Sequence, residues 1–183
     1  MKKLNFYDQL NATSLLLISS EWGKVKAARK SAESFETPDV AIPTETRTIA
    51  GRNIRLAEAG PIDAPLVVLL SPFPESILSF TGCWEALTEK CRVIAIDLPG
   101  FGASEGDRKD MSPNAQGAHL AAIFDELDLQ NIHLVAPDVG MGAALAYVLN
   151  HKHRAKSLAV GHGPGAPGPF KLAFMISMLA RFG

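Results

Sequence analysis

The sequence has little cysteine, no long apolar run and almost no net charge. Its two cysteines, Cys83 and Cys91, lack metal-ligand spacing, so they favour a reducing, cytoplasmic compartment over a disulfide scaffold or a zinc site. No apolar stretch reaches the roughly 20 residues that a membrane helix needs, and no signal peptide is recognisable. A net charge of −1 gives no indication of a nucleic-acid partner, which a strongly basic chain would suggest. We therefore expect no nucleic-acid partner, no membrane span, no metal and no cofactor.

The chain divides at a group of prolines. Residues 1 to about 36 contain Leu, Ala, Lys and Glu but no Pro, which predicts an N-terminal helical extension over residues 1–40. Thr37-Pro38-Asp39 and Ile42-Pro43 interrupt that pattern. Residues 41–183 then form the main domain. The role of the extension is not readable from its composition.

Short apolar runs alternate with helical segments through the main domain. A hairpin is predicted first, from Thr44–Ile49 and Asn53–Ala59. Buried strands follow, because continuous apolar runs are typical of strands that are covered on both faces; they begin at Leu66, Val93, Ile132 and Ser157. Helices are predicted between them, at about residues 82–90, 113–127 and 140–150. This alternation predicts an α/β fold with a mostly parallel sheet and flanking helices, in which the Leu66 strand lies between the Val93 and Ile132 strands.

Ligands of such sheets bind at the carboxyl ends of the strands, and the Ile132 strand ends in Ala136-Pro137-Asp138-Val139-Gly140. A turn of one residue between strand and helix would lift Asp138 above the sheet, where the helix N-terminus favours negative charge. This is the geometry of a nucleophile elbow. A carboxylate there can attack carbon and form an ester that water later hydrolyses.

Two other interpretations of this turn remain open at this point. In the first, Asp138 has no chemical role and merely caps the following helix. Gly140-x-Gly142 could belong to a dinucleotide site, but Leu145 stands at the third glycine position and no glycine-rich turn follows the first buried strand. The second alternative is therefore the weaker.

The strand ends together resemble one family. Asp97-Leu98-Pro99-Gly100-Phe101-Gly102-Ala103-Ser104 matches the D-x-x-G-x-G-x-S loop of α/β-hydrolases, and Phe73-Pro74-Glu75-Ser76 follows the first buried strand in the style of epoxide hydrolases. With the Asp elbow, residues 45 to 165 resemble epoxide hydrolases and haloalkane dehalogenases of the α/β-hydrolase superfamily. In this chain Ser71-Pro72 replaces the family's His-Gly, and Ala136 replaces the first elbow glycine.

The resemblance implies roles for individual residues. Asp138 would be the nucleophile, and the backbone N–H groups of Phe73 and Val139 would form the oxyanion hole. Val139 stands where dehalogenases place an indole donor, which argues against haloalkanes. No tyrosine corresponds to those that activate an epoxide, since the chain has only Tyr7 and Tyr147. Asp97 is expected to hold the chain path, not to act as a catalytic acid.

A general base is the missing component. The family order is nucleophile, acid, histidine, whereas the five histidines here are His119, His133, His151, His153 and His162. Only His162 is predicted to lie at the right edge of the sheet, where it either contributes chemistry or is a loop residue. The chain therefore resembles a partial α/β-hydrolase domain, incomplete at the C-terminus, without the lid and last strands.

Two functional hypotheses follow. The first is an epoxide-hydrolase-like enzyme that attacks a small apolar epoxide or ester through Asp138 and is inactive or impaired as this fragment. The second is a non-catalytic relative that binds a small molecule or a partner. The last predicted strand would leave a sheet edge unpaired, and residues 170–176 are predicted to form an apolar helical segment. Either feature could support self-association.

Overall fold

The computed structural model describes residues 41–161 and 163. The predicted N-terminal helix, the C-terminal apolar segment and His162 lie outside these residues. The elements in chain order are two strands, β1 (Thr44–Ile49) and β2 (Arg52–Ala59), then β3 (Leu66–Leu70), α1 (Thr81–Thr88), β4 (Arg92–Ile96), α2 (Pro113–Glu126), β5 (Ile132–Pro137), α3 (Val139–Asn150) and β6 (Ala155–Gly161). Two short 3-10 turns, Ile77–Phe80 and Arg108–Met111, precede α1 and α2.

One sheet carries all six strands, in the order β1-β2-β4-β3-β5-β6. β3 pairs in parallel with β4 and β5, and β5 pairs in parallel with β6, while β2 joins β1 and β4 antiparallel. The predicted position of the Leu66 strand between its two neighbours is confirmed. The parallel arrangement brings the carboxyl ends of β3, β4, β5 and β6 to the same edge.

Apolar residues on both faces of the sheet explain the continuous runs. Val68 and Leu70 of β3 belong to the core that faces α2 and α3, whereas Leu69 belongs to the core that contains Trp84 of α1. Successive residues of a strand point to opposite faces, so a strand covered on both sides needs apolar residues throughout. The sheet is thus covered on both faces by helices.

The start of α2 has the residues that are typical of a helix N-terminus. Ser112 caps α2, where its hydroxyl accepts a hydrogen bond of 3.2 Å from the N–H of Ala115, and Pro113 is the first helical residue. Because β3, β4 and β5 are parallel, one edge of the sheet carries the loops after β3 and β4 and the turn between β5 and α3.

Candidate active site

Asp138 forms the whole connection between β5 and α3. Its backbone has φ 50° and ψ −125°, a conformation that costs a non-glycine residue about 1–3 kcal/mol and that only the surrounding structure can maintain. Gly140 permits the tight turn, because a Cβ there would lie 3.2 Å from the Cβ of Leu70 in β3. The sharp strand-to-helix turn predicted from the sequence is therefore present, with Asp138 at its apex.

The Asp138 carboxylate faces the loop after β3. The backbone N–H of Phe73 donates a hydrogen bond of 2.9 Å to its Oδ2 atom. The side chain makes no capping hydrogen bond to α3, so the alternative in which Asp138 only caps the helix is wrong. Val139, the other predicted oxyanion-hole residue, is the half-buried first residue of α3.

The backbone of Asp138 is fixed by the end of β6. Its N–H donates to the carbonyl of Gly161 at 2.9 Å, and its own carbonyl accepts from the N–H of Met141 at 3.0 Å. A Cβ on Gly163 would lie 2.1 Å from the Asp138 carbonyl oxygen. Both chain neighbours of His162 therefore contact the backbone of Asp138, although His162 itself lies outside the described residues.

The loop after β4 is organised around the buried carboxylate of Asp97. The Arg55 guanidinium and the backbone N–H of Ala103 donate to Oδ2 at 2.6 and 2.9 Å, and the N–H of Ile77 donates to Oδ1 at 2.8 Å. Gly102 has φ 55°, and a Cβ there would lie 2.1 Å from Oδ2. The predicted structural role of Asp97 is confirmed, since Arg55 and two backbone groups occupy its oxygens.

Ser71 joins the two loops beside the site. It is fully buried, and its hydroxyl accepts a hydrogen bond of 3.1 Å from the N–H of Leu98. The Phe73 ring is 59% exposed and meets Phe101 edge to face, with ring centroids 6.1 Å apart. The peptide bond between Phe73 and Pro74 is cis. The rim beside Asp138 is accordingly aromatic and apolar.

A cavity of about 140 Å³ adjoins this rim. It is bounded by Leu98, Phe101, Met111, Gln116 and Val139, together with small residues of α3. A larger cavity of about 450 Å³ lies at the amino ends of the strands, among Leu66, Arg92, His133 and Lys156. That position is at the opposite edge of the sheet from Asp138. The smaller cavity is therefore the one related to the candidate site.

The four described histidines have other surroundings. His119 Nε2 lies 3.1 Å from Asp110, and His133 Nδ1 lies 2.8 Å from the hydroxyl of Ser157. The His151 ring stacks on Tyr147 with centroids 4.9 Å apart, and His153 is exposed in the loop before β6. Within residues 41–161, none of these rings is hydrogen-bonded to Asp138.

A buried ionic cluster near the site was not predicted from the sequence. Asp110 is buried and accepts two hydrogen bonds from the guanidinium of Arg52, at 2.9 and 3.2 Å. The backbone N–H of Asp107 lowers the pKa of the Asp110 carboxyl most, and His119 and Arg52 lower it further, against the opposing effect of burial. Only the three-dimensional contact between the β1–β2 turn and the start of α2 brings these residues together.

Membrane-spanning helices and metal-binding clusters are absent from residues 41–161 and 163. No helix in this part of the chain combines the length and apolar character needed to span a bilayer. Nor does any group of His, Cys, Asp and Glu there have the arrangement of a metal site.

Comparison with known proteins identifies relatives of one fold. A family model described as "alpha/beta hydrolase fold" matches residues 65–171. A haloalkane dehalogenase of Psychrobacter cryohalolentis is 33% identical over 112 residues, covering 60% of this chain and 37% of that protein. A 2-hydroxy-6-oxononadienedioate/2-hydroxy-6-oxononatrienedioate hydrolase of Escherichia coli is 30% identical over 132 residues, covering 66% of this chain and 44% of that protein.

A solved structure of an epoxide hydrolase is also similar to this chain. The epoxide hydrolase VrEH1 of Vigna radiata superposes with a TM-score of 0.62 and 26% identity, covering 78% of this chain and 46% of that one. The chain thus spans less than half the length of each of these three relatives. Because the family model matches more than half of the 183 residues and the sheet order agrees with its description, this chain belongs to the α/β-hydrolase fold family.

Proposed function

We propose that this chain is the nucleophile-bearing part of a hydrolase that attacks small apolar epoxides or esters through Asp138. The observation that carries the proposal is the 2.9 Å hydrogen bond between the Phe73 N–H and Asp138 Oδ2, at a residue held with φ 50°. A strained conformation that the surrounding structure maintains is a frequent property of functional sites. The hydrogen bond also places the carboxylate beside the donor that an oxyanion would need.

The first chemical step is a displacement at carbon. One oxygen of Asp138 attacks a ring carbon of the epoxide, and the bond from that carbon to the ring oxygen breaks. The ring oxygen leaves as an alkoxide and takes a proton from water, so that a hydroxyalkyl ester remains on Asp138. The adduct therefore adds the full mass of the epoxide to the chain.

The N–H groups of Phe73 and Val139 have their main role in the second step. When water attacks the ester carbonyl, the carbonyl oxygen becomes negative, and two N–H donors would stabilise that charge. The hydrogen bond from Phe73 to Oδ2 in the unreacted site supports this assignment. Losing one such donor typically lowers kcat by about 10²–10³.

The surroundings of Asp138 favour epoxides and esters over haloalkanes. Val139 is aliphatic and offers a halide no side-chain donor. Tyr147 is buried between α2 and α3, so it is not available to protonate an epoxide oxygen. We therefore expect slow, strain-driven opening of reactive epoxides. With activated esters, Asp138 would attack the carbonyl carbon, the alkoxide would leave, and an acid anhydride would remain on Asp138.

Release of the ester requires a general base, for which we propose His162. This proposal rests on its neighbours, since Gly161 accepts a hydrogen bond from the Asp138 N–H and Gly163 lies against the Asp138 carbonyl. General-base assistance is typically worth about 10²–10⁴-fold. Without an orienting acid, His162 would supply only part of this factor.

A second candidate function is binding without turnover. It is favoured by the other interactions of His119, His133 and His151 within the described residues. In that case a small molecule or a partner would bind beside Asp138 and leave unchanged.

Incubation with butyl glycidyl ether, followed by intact-mass measurement, tests the two candidates. For a polypeptide of these 183 residues we expect one stable adduct on the Asp138 peptide and few or no turnovers. Hydrolysis of the ester on Asp138 would be slow, because the proposed base His162 lacks an orienting acid. Asp138→Asn should lose the adduct on this peptide, whereas Asp63→Asn, which changes an exposed carboxylate at the opposite edge, should retain it.

The other outcomes separate the hypotheses. Absence of any adduct would favour binding without chemistry. Multiple turnovers that require both Asp138 and His162 would show that the base is complete. Turnover that survives Asp138→Asn would discard the nucleophile.

A further inference from the structure

Gln116 lies in the first turns of α2, close to the loop after β4, and is 3% exposed. Its Nε2 atom donates two hydrogen bonds, to the carbonyls of Pro99 at 2.7 Å and Asp110 at 2.9 Å. An amide nitrogen has only two hydrogens, and both are used. The two carbonyl partners also identify which end of the amide is nitrogen and which is oxygen.

The oxygen at the other end of this amide has no partner. Oε1 of Gln116 is buried and accepts no hydrogen bond from the described part of the chain. A buried acceptor without a donor is unfavourable, and most native ones are satisfied by protein, water or a ligand. The donor that completes Gln116 therefore comes from outside these residues.

Gln116 also borders the cavity of about 140 Å³ beside the candidate nucleophile. Leu98, Phe101, Met111 and Val139 form most of its wall, and none of the described residues that line it is charged. A water molecule takes about 30 Å³ in the liquid, so the cavity has room for a short chain of a few atoms. Val139 directly follows Asp138, which relates the cavity to the reacting centre.

We propose that Gln116 is a specificity-determining residue whose Oε1 atom accepts a hydrogen bond from a hydroxyl or amide N–H on the non-reacting end of the substrate. The inference rests on the proposed function of Asp138 and extends it to a substrate class: neutral epoxides or esters with a short apolar chain that ends in a donor. Neutral ends are preferred because the described residues that line the cavity offer no counter-charge. Donors are preferred because the Nε2 hydrogens of Gln116 are already engaged.

Access to Oε1 depends on the flexible wall of the cavity. Met111 is 40% exposed and borders the same cavity. Its unbranched side chain can change rotamer at little cost, whereas Leu98 is fully buried. We infer that Met111 moves to let the terminal donor of the substrate reach Oε1.

A matched pair of reagents tests this inference. Butyl glycidyl ether and the same ether with a hydroxyl at the end of its butyl chain differ only in the donor. With the wild-type chain we expect the hydroxyl reagent to label Asp138 about ten-fold faster than the plain ether. A hydrogen bond to a buried acceptor typically contributes a factor of about that size. Gln116→Met should remove this preference, whereas Gln130→Met, an exposed glutamine at the opposite edge, should retain it.

Ligand-observed NMR with Asp138→Asn, which cannot react, separates binding from chemistry. We expect the hydroxyl ether to bind about ten-fold more tightly than the plain ether, because the same hydrogen bond to Gln116 Oε1 contributes to binding. Equal labelling by both reagents would overturn the Gln116 inference and leave the nucleophile intact. Preferential binding without any labelling would keep Gln116 and overturn the proposed function.

Two results guard against a folding artefact. The preference of the wild-type chain is measured without any substitution at Gln116, so a variant that fails to fold does not decide the outcome. A preference that persists in a folded Gln116→Met variant would show that the donor binds elsewhere. If neither ether labels or binds, both proposals fall.

Discussion

At the scale of single residues, Asp97 shows how a charge is kept inside this fold. Its side chain is completely buried, and Arg55, whose side chain is 19% exposed, lies 2.6 Å away. Two backbone N–H groups complete the coordination. The carboxylate thus connects the β2 strand to the loops after β3 and β4, which border the candidate site.

Replacing Asp97 by Asn should lower the free energy of unfolding by about 3 kcal/mol, because removal of one member of a buried pair leaves the other charge uncompensated. Urea denaturation measures the loss. Asp125→Asn is the control: Asp125 pairs with Arg154 but is 58% exposed, so the change should cost less than about 1 kcal/mol. Equal losses in the two variants would contradict this role of Asp97.

Asp110 gives the protein a pH-dependent interaction. Its pKa is lowered, first by the Asp107 N–H and then by His119 and Arg52, so the folded state favours the ionised carboxylate more than the unfolded state does. The resulting stability is present at neutral pH, above the ordinary Asp pKa of about 4, and is lost as the pH falls through the lowered folded value. Unfolding midpoints of Asp110→Asn should therefore depend less steeply on pH below about 4 than those of the wild type.

That comparison has a clear opposite outcome. If Asp110→Asn and the wild-type chain lose stability in parallel on acidification, another carboxylate is responsible for the acid sensitivity. The Asp63→Asn variant, which changes an exposed carboxylate in the loop before β3, provides a matched background.

Local sequence could predict some site residues and not others. Asp138 directly follows β5, and Phe73 lies in the loop that follows β3. Their place at the carboxyl edge therefore follows from strand direction alone. Gln116 and Asp110 are polar residues within or before a helix, where periodicity would place them in solvent. Their burial depends on contacts with the loop after β4 and the β1–β2 turn. Such contacts join distant parts of the chain and leave no local signal.

At the scale of elements, α2 and α3 pack closely against each other. A Cβ on Gly117 would lie 2.8 Å from the Cβ of Ala146 and 2.9 Å from the backbone nitrogen of Tyr147. The rings of Phe124 and Tyr147 meet edge to face beside this contact, with centroids 4.9 Å apart. The two helices therefore approach at a glycine, and the position of α3 sets that of Asp138.

Gly117→Ala should destabilise the chain by about 1–3 kcal/mol, because overpacking would push α2 away from α3. Gly82→Ala is the matched control. Gly82 lies in α1 with no atom within 4 Å of the added Cβ, so the change should be neutral or stabilising by about 0.5 kcal/mol. Denaturant midpoints of the two variants measure the difference; a neutral Gly117→Ala would show that the helices can separate freely.

Element types and order followed from the sequence more readily than element ends. The apolar runs predicted the strands β3 to β6, and the predicted helices begin and end within two residues of the observed ones. The expected burial of the Ser157 strand was wrong, because β6 lies at the sheet edge and is largely exposed. The remaining differences arise because ends depend on capping contacts. β6 runs from Ala155 to Gly161, longer than its weak apolar run, because pairing with β5 extends it at both ends.

At the scale of the whole molecule, the sheet has one unpaired edge at the candidate site. β6 is the last strand in the sheet order and, within the described residues, pairs only with β5. Its residue Val160 is 41% exposed. An exposed edge with apolar side chains is a template for pairing with another chain, so we propose self-association through β6.

Sedimentation velocity of the 183-residue polypeptide should show concentration-dependent dimers or larger species. Val160→Lys should reduce them, because a lysine on an edge strand disfavours pairing. Thr46→Lys, on the opposite polar edge strand β1, should leave association unchanged. A monomer at all concentrations, or equal effects of both lysines, would exclude the β6 edge as the contact.

The hydrogen bond between Phe73 and Asp138 also determines when the site can form during folding. It joins residues 65 positions apart, and the elbow is fixed only after Gly161 arrives from the end of β6. Distant contacts of this kind form late, because loop closure precedes them. On the ribosome, the strand before Phe73 can pair long before Asp138 and then Gly161 have been synthesised. The geometry of the candidate site should therefore be the last part of the described fold to assemble during translation.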